Sequence, residues 1–554
     1  MTNKTDETAA SVSLQEFRSV CKAVDLEIER EFAGAFAQKR TFVKAASYAD
    51  ALSSEKVAGN SWAIAEYSGY ADPGPVQSLL CENRWDASEV WDRIARVAPR
   101  AMEREFQGDP LGPGIVVDET AQEKRGMATA GVGYQYAGIA GRTVNCITWV
   151  AAALVGPSTR TWLSCSLYIP KKSWFTGRKE TGAARRRNAG IPKGTRFASK
   201  PEIARKQFRH LRETAVRFNY AAGDEVYGRS RALLRDHEAH NEAYAYFVPR
   251  NHVVKNLGKE RHKVDELPEL ADAPFEERSA GHGVNGPRYY EWAMIGVISP
   301  RHFILVRRPV PHGGESRPQP AAADITARSG ESASTRSGDR VKDEGLTFCL
   351  CYVPEGSPIK LTMRNLALMA GRRWGAEEVN ATAKGPVGWD ENQLRKWGSL
   401  QRHTALAGLA MLRANLISER LTSYPTNRDL DSAQKAEENP EAATQSSPAS
   451  GREGQPPEFS RDDLRIPLGD SAVPTHAGQG FPGDVGFIKL SLNEIMRLRN
   501  IALEYLDDAQ TAFHLRWSQW RRKHQATARW HHQIRRMKEA QPSTVNQGTR
   551  TLSL

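Results

Sequence analysis

The chain has 554 residues, six cysteines, and 77 lysines and arginines against 65 acids, a formal charge of +12. At about 150 residues per domain this length corresponds to roughly three or four domains, and 40% apolar residues are enough for a core. The scattered cysteines include no C-x-x-C pair, which argues against a zinc ribbon or a thioredoxin-type site and for reduced thiols. The N-terminal stretch has no apolar signal-peptide core. The longest apolar run, Cys146 to Gly156, falls far short of the ~20 residues of a membrane span. The expectation is an intracellular protein with no membrane partner, whose positive surplus suits a polyanion.

From Ser13 to about Arg104 the apolar spacing is helical, with Phe17, Val20, Cys21, Val24 and Leu26, then Ile28, Phe32 and Phe36. Within it, Trp62–Gly69 reads as a helix with a glycine stop. Asp72–Leu80 reads as a second helix with proline in its first turn. This is the outline of a helix-turn-helix, and equally that of an ordinary helical hairpin. Composition changes near Gly108. Gly114–Thr120 is predicted to be a strand closed by Asp118 and Glu119, and Val144–Val155 with Thr161–Ile169 an antiparallel hairpin. Lys200–Phe218 has helical spacing, and a further strand ends at Asp224. Helix Ser230–His240 and strand Ala243–Val248 follow. Alternation of this kind predicts a mixed α/β class.

Gly281–Pro309 and Leu346–Val353 are strand-like, whereas residues 311–343 are Pro, Gly, Ser, Ala and charge, a composition that predicts disorder. Leu361–Leu416 is helical with a break near Gly385–Gly388. A second low-complexity stretch covers 423–480. A basic helical region at 487–540 carries Arg516, Arg521, Arg522, Lys523, Arg529, Arg535 and Arg536, interleaved with Trp517, Trp520 and Trp530. Such a face releases counterions on duplex DNA, although a solvated basic tail or an RNA-binding arm has the same composition.

Three acids stand where chemistry is often built. Asp118 and Asp224 close strands, whose carboxyl ends converge on one rim of an α/β sheet, and Glu377 lies in a helix. Taken singly, each is more often a solvated charge or a cap. Together they could hold two Mg²⁺ ions, which favour a few carboxylates, waters and substrate phosphates. Arg373, Glu377 and Lys384 share one helix face. That arrangement suits a metal beside a phosphate backbone, or else a surface i,i+4 ion pair worth a few tenths of a kcal/mol. Glu378, rotated about 100°, is the weaker ligand candidate.

In order along the chain come Val116-Val117-Asp118-Glu119-Thr120 with Lys124-Arg125-Gly126, and Asp224-Glu225-Val226-Tyr227-Gly228. Gly286-Pro287-Arg288-Tyr289-Tyr290-Glu291-Trp292-Ala293 follows, then Arg373-Trp374 through Lys384-Gly385 and Arg395-Lys396-Trp397. The last block is Trp517-Ser518-Gln519-Trp520-Arg521-Arg522-Lys523-His524-Gln525. In this order and spacing the chain resembles the DDE transposases of bacterial insertion sequences, specifically the insertion-sequence 701-type family. The resemblance implies a ribonuclease H-like mixed-sheet catalytic core with Asp118, Asp224 and Glu377 as its metal-binding triad. It further implies two Mg²⁺ (or Mn²⁺) ions and phosphate contacts from Arg373, Lys384 and Arg395. Ala370 occupies the tyrosine position of the wider signature, and Glu119 stands where a second aspartate is usual.

The organisation implied is a helical DNA-binding domain at 13–107, a catalytic core at 108–251 and 356–420, and an inserted β-rich region at 252–355 holding the disordered 311–343. A linker at 423–480 and the basic region at 487–540 complete it. Arg521, Arg522 and Lys523 would grip phosphates without regard to sequence. Gln77, early in the second helix of the N-terminal pair, would read bases at the element's ends. The partners implied are double-stranded DNA, as element ends and as target, and further copies of the chain on that DNA, in the cytoplasm at the nucleoid. A catalytically silent DNA-binding protein derived from a transposase, and a nuclease of the same fold, are the competing readings.

Overall fold

The computed structural model describes residues 14–54, 57, 59–138, 141–176, 179–283, 286–310 and 345–422, with isolated positions between 495 and 531. The segments 311–343 and 423–480, and most of 487–540 including Arg521 and Arg522, lie outside the described residues. The chain divides between Val24–Leu416 and a second unit, Met1–Ala23 with Ile417–Leu554. Every strand named below belongs to the first unit.

The N-terminal part is helical: α1 (Leu14–Phe32), α2 (Lys39–Leu52), α3 (Ser61–Tyr67), α4 (Gly74–Cys81), α5 (Ala87–Ala101) and the short α6 (Glu103–Phe106). Polar caps set the starts. Asn60 accepts from Trp62 N and Ala63 N at 3.0 and 3.1 Å, and Asp86 accepts from Ser88 N at 2.9 Å. Asp72 accepts from Gly74 N, but the residue preceding α4 is Pro73. Helix α4 buries Val76, Leu79 and Leu80 and leaves Gln77 in solvent.

The sheet strands are β1 (Gly114–Glu123), β2 (Gly133–Ala137), β3 (Arg142–Val155) and β4 (Arg160–Tyr168). Helices α7 (Lys171–Trp174), α8 (Lys179–Asn188) and α9 (Lys200–Glu213) lead to β5 (Tyr220–Gly223), α10 (Glu225–Gly228), α11 (Arg231–Ala239) and β6 (Ala243–Val248). A small β7 (Val253–Lys255) and β8 (Arg261–Lys263) pair with each other. Then β9 (Glu276–Gly283), β10 (Gly286–Val297), β11 (His302–Arg308) and β12 (Thr347–Tyr352) precede α12 (Met363–Gly371), α13 (Trp374–Lys384) and α14 (Trp397–Thr422).

Among the described residues ten strands form one sheet, in the order β2-β3-β1-β5-β6-β12-β11-β10-β9, with β4 also on β3. β1 is antiparallel to β3, while β5 is parallel to both β1 and β6. The order β4-β3-β1-β5-β6, with three antiparallel strands followed by two parallel ones, fits the ribonuclease H-like fold. The strands after β6 extend the same sheet, because β12 pairs antiparallel with β6.

Residues Ile147 to Val155 of β3 are all buried, as expected of a strand covered on both faces. Trp149 and Trp162 meet Trp389 edge-on at 6.3 and 5.6 Å. Such pairs contribute about 0.5–1.5 kcal/mol beyond their burial. Trp162 Nε1 donates to Asn380 Oδ1 at 3.0 Å, and Asn380 Nδ2 donates to the Glu119 carbonyl at 3.4 Å. This chain of contacts seats α13 across β1, β3 and β4. Helix α14 is buried on all sides from His403 to Leu416. Its Arg402 donates to the carbonyls of Leu80 and Trp85 at 3.1 and 3.0 Å, tying it to the end of α4.

At the end of α12 there is no room for a side chain. A Cβ on Gly371 would lie 1.8 Å from the Ala280 carbonyl oxygen of β9. Gly371→Ala is therefore expected to destabilise by about 1–3 kcal/mol, the usual cost of overpacking, and to lower the melting temperature by a few degrees. Gly126→Ala, where nothing lies within 4 Å, is expected to leave it unchanged. Calorimetry on both variants checks this.

Candidate active site

The parallel pairing of β1 with β5 covers only four residues, Gly114↔Tyr220 to Val117↔Gly223. The next residue on each side is an aspartate. Asp118 and Asp224 are thus set side by side by register, not by any contact of their own. Asp118 lies in mid-strand rather than at a strand end, because β1 continues to Glu123 against Cys146 of β3. Asp224 leaves the sheet at the end of β5 and caps α10, accepting from Val226 N at 2.9 Å.

The carboxylates of Asp118, Glu119 and Asp224 converge, each offering an oxygen within 4.8 Å of the others. On a flat strand consecutive side chains point to opposite faces, so sequence reasoning gives Glu119 no place here. Glu119 is held by Lys200 Nζ and by the Tyr227 hydroxyl, both at 3.3 Å. Neither partner is legible in the sequence as part of a site, since each comes from a different helix.

Burial pushes the Asp118 carboxyl up to about 8; Asp224 and Glu119 add to this and Arg373 opposes it. Burial likewise raises Asp224, against Arg373, and Glu119, against Lys200. Burial works against the charge on Arg373, but Glu377, Asp118 and Asp224 together hold its guanidinium above its ordinary range. Arg373 is the central cation of the cluster. It precedes α13 rather than lying within it, since the helix breaks between Gly371 and Trp374.

Glu377 is in the first turn of α13, half exposed, and paired with Arg373 at 2.8 Å. An exposed i,i+4 pair contributes only about 0.3–0.5 kcal/mol, so stability does not account for it. Glu378 turns to the other side and pairs with Arg160 and Arg288. Lys384 is half-buried at the far end of α13 and feels Asp390 and then Asp118. Arg395 is exposed, and its carbonyl accepts from Ala130 N at 2.9 Å. Gln77 is exposed on α4, in the helical part. Lys523 belongs to the isolated positions and is exposed.

Three carboxylates around one point, with no sulfur or nitrogen donor among them, are a donor set for a hard divalent cation such as Mg²⁺ or Mn²⁺. The raised Asp118 carboxyl fits the same reading: burial first, then Asp224 and Glu119, disfavour its charge against Arg373, and a cation there would favour it.

Residues 64–266 match the DDE superfamily endonuclease family. Over this stretch the chain is similar to the DDE superfamily endonucleases. The matched stretch includes Asp118 and Asp224 and ends before Glu377. The chain is also similar to a "Probable transposase for insertion sequence element IS701" of Microchaete diplosiphon. The identity is 25% over 198 residues, which are 36% of this chain and 46% of that relative, so the chain spans about half the length of the curated relative it matches. Among the described residues no helix is long and apolar enough to cross a membrane.

A divalent cation should stabilise this cluster. Saturating Mn²⁺ at about a hundred times its dissociation constant is expected to add about 2.7 kcal/mol of stability to the wild type, and to add nothing to Asp118→Asn or Asp224→Asn. In EDTA at a pH above the raised Asp118 value of about 8, the Asp118→Asn variant is expected to be at least as stable as the wild type, since there it removes a half-buried like charge. Thermal denaturation with and without the metal measures both.

Proposed function

We propose that the protein is a DNA transposase. It cuts the strand at the ends of its element and joins the freed 3′ end to target DNA. The observation that supports this reading is the β1–β5 register that sets half-buried Asp118 beside Asp224, with Arg373 close to both and Glu377 paired to Arg373. Carboxylates whose titration is raised by burial and by one another, gathered at one place, are candidates for a functional site.

In this reading Asp118, Asp224 and Glu377 would hold two divalent ions, with Glu119 as a neighbouring acid whose position Lys200 and Tyr227 fix. Glu377 pairs with Arg373 and lies outside the cluster of Asp118, Glu119 and Asp224, so it would have to leave Arg373 to join them. Bound ions would help activate the attacking oxygen and stabilise the leaving one. The chain's own cations do the rest. Arg373 offsets the carboxylates and faces the phosphate, and Lys384 and Arg395 add phosphate contacts. In the first step water attacks phosphorus, the P–O3′ bond breaks and a 3′-hydroxyl leaves. In the second step that hydroxyl attacks a target phosphodiester and displaces its 3′ oxygen. Gln77 on the exposed side of α4 would read the element's ends, and Arg521, Arg522 and Lys523 would grip backbone. Copies of the chain would meet on the DNA.

The test uses a plasmid carrying the DNA that flanks the gene, with Mg²⁺ or Mn²⁺. Alanine at Asp118, Asp224 or Glu377 is expected to lower cleavage at least about a hundredfold while duplex binding changes little. If Glu377→Ala still cuts and Glu119→Ala does not, Glu119 is the third ligand. Cutting without joining would make the protein a nuclease, and tight binding without cutting would make it a silent DNA-binding descendant of a transposase.

A further inference from the structure

A cavity of about 330 Å³ opens beside α13, lined by Arg160, Arg288, Arg364 and Arg372 together with Glu105, Asp109 and Glu378. The four arginines come from distant parts of the chain. Arg160 opens β4, Arg288 lies on β10, Arg364 is on α12 and Arg372 follows its last turn. Four guanidinium groups around one space repel one another unless an anion joins them.

Each acid in the wall is already engaged. Asp109 takes Arg372 at 3.0 Å, and Glu105 accepts from Ser158 N and Thr159 N at 2.9 and 3.1 Å in the β3–β4 turn. Glu378 serves two cations at once, Arg160 and, at 3.4 Å, Arg288. Burial pushes Arg160 down to about 10. Glu105 opposes this, and Arg372 and Arg288 add to it. Arg288 lies over the Trp374 ring at 4.7 Å and also feels Glu377 and Arg373 of the candidate active site. Glu377 and Glu378 are consecutive on α13, about 100° apart. One faces Arg373, the other faces this cavity.

We propose that the cavity is a phosphate seat, holding a backbone phosphate of the same DNA whose reacting phosphate lies at Asp118 and Asp224. The proposal rests on the reading of the protein as one that acts on DNA. Guanidinium groups match phosphate oxygens in planar, bidentate fashion. Glu378 is the stand-in anion of the DNA-free protein. An arriving phosphate takes over Arg160 and Arg288, and Glu378 gives way to it. Arg364, exposed at the rim, meets the strand first. A seat on the helix that carries Glu377 would fix the strand's position relative to the carboxylates, so that register along the DNA is set by α13.

The experiment is run in EDTA, so that no metal occupies the carboxylate cluster. Binding of a short duplex of arbitrary sequence is followed by fluorescence anisotropy across a salt series. It is done for the wild type, Arg364→Ala, Arg288→Ala/Arg364→Ala and Glu378→Gln. Removing one phosphate contact lowers the slope of log affinity against log salt by about 0.9. The double variant is expected to show a slope lower by about one such contact, and Glu378→Gln is expected to bind more tightly than the wild type. Arg364→Ala, an exposed change, keeps the test open should the double variant fail to fold, and it is expected to weaken binding in the same direction. Inorganic pyrophosphate is expected to compete with the duplex on the wild type and much less on the arginine variants.

Several outcomes overturn the proposal. One is a wild-type slope in every arginine variant. Another is a Glu378→Gln protein that binds less tightly than the wild type. A third is pyrophosphate that competes on the arginine variants as it does on the wild type, or that reads the cavity while the duplex slope ignores it; the cavity would then be no seat, or a seat for a free anion only. The functional reading fails separately: a wild type whose duplex binding depends on the cavity but which never cuts DNA in Mn²⁺ keeps the seat and loses the transposase.

Discussion

Four residue pairs between β1 and β5 govern the structure's chemistry. They end at Val117 and Gly223, and the candidate site is set by the two aspartates that come directly after them. Asp118 and Asp224 are brought together by backbone hydrogen bonding, which is blind to their charge. Their mutual repulsion is therefore carried by the whole sheet, whose interior is built of Trp149, Trp162, Ile147, Val150 and their neighbours. A close approach sharpens the constraint at the start of β1: a Cβ on Gly114 would lie 2.0 Å from the Tyr220 ring, so β5 packs tightly there. The partial burial that follows disfavours the charged forms of both acids.

The second constraint is where α13 lies. Asn380 fastens it to Trp162 on one side and to the backbone of Glu119 on the other. A Cβ on Gly375 would lie 2.5 Å from Val155 Cγ1, so the helix is pressed onto β3. Because the helix is fixed this closely, the side each residue faces is fixed as well. Arg373 turns to the carboxylates and Glu378 to the arginine-lined cavity. The break between α12 and α13 lets Arg372 and Arg373, adjacent in sequence, serve different places: Arg372 pairs with Asp109 and Arg373 with Glu377.

Much of the mixed fold is legible in the sequence because local patterns carry it. The run Ala243–Val248 is a strand with the expected bounds, and Ser230 announces the helix that precedes it. The glycine stop at Gly69 and the proline at the start of α4 also mark real boundaries. The illegible part is non-local. No pattern in β1 tells that β5 stops alongside Val117, so the sequence predicts Asp118 at a strand end, whereas it lies in mid-strand. Nothing in β12 tells that it will pair with β6 and extend one sheet. Strand alternation keeps Glu119 away from Asp118 in expectation, although the folded chain brings their oxygens together. Arg160, Arg288, Arg364 and Arg372 span more than two hundred residues of the chain, and only the tertiary structure gathers them. The basic region with Arg521 and Arg522 lies outside the described residues, so its role rests on composition alone.

The central claim is that a divalent cation binds between β1 and β5, at Asp118 and Asp224, within reach of α13. Iron-directed cleavage tests it without reference to DNA. Fe²⁺ replaces Mg²⁺ in the full-length protein, ascorbate and peroxide generate short-lived radicals at the bound ion, and the backbone cuts are mapped by mass spectrometry. The account expects cuts clustered around residues 118 and 224, with a third set near 377, all suppressed by excess Mg²⁺ and absent in Asp118→Asn. Cuts that fall elsewhere, or that persist unchanged in Asp118→Asn, would contradict it.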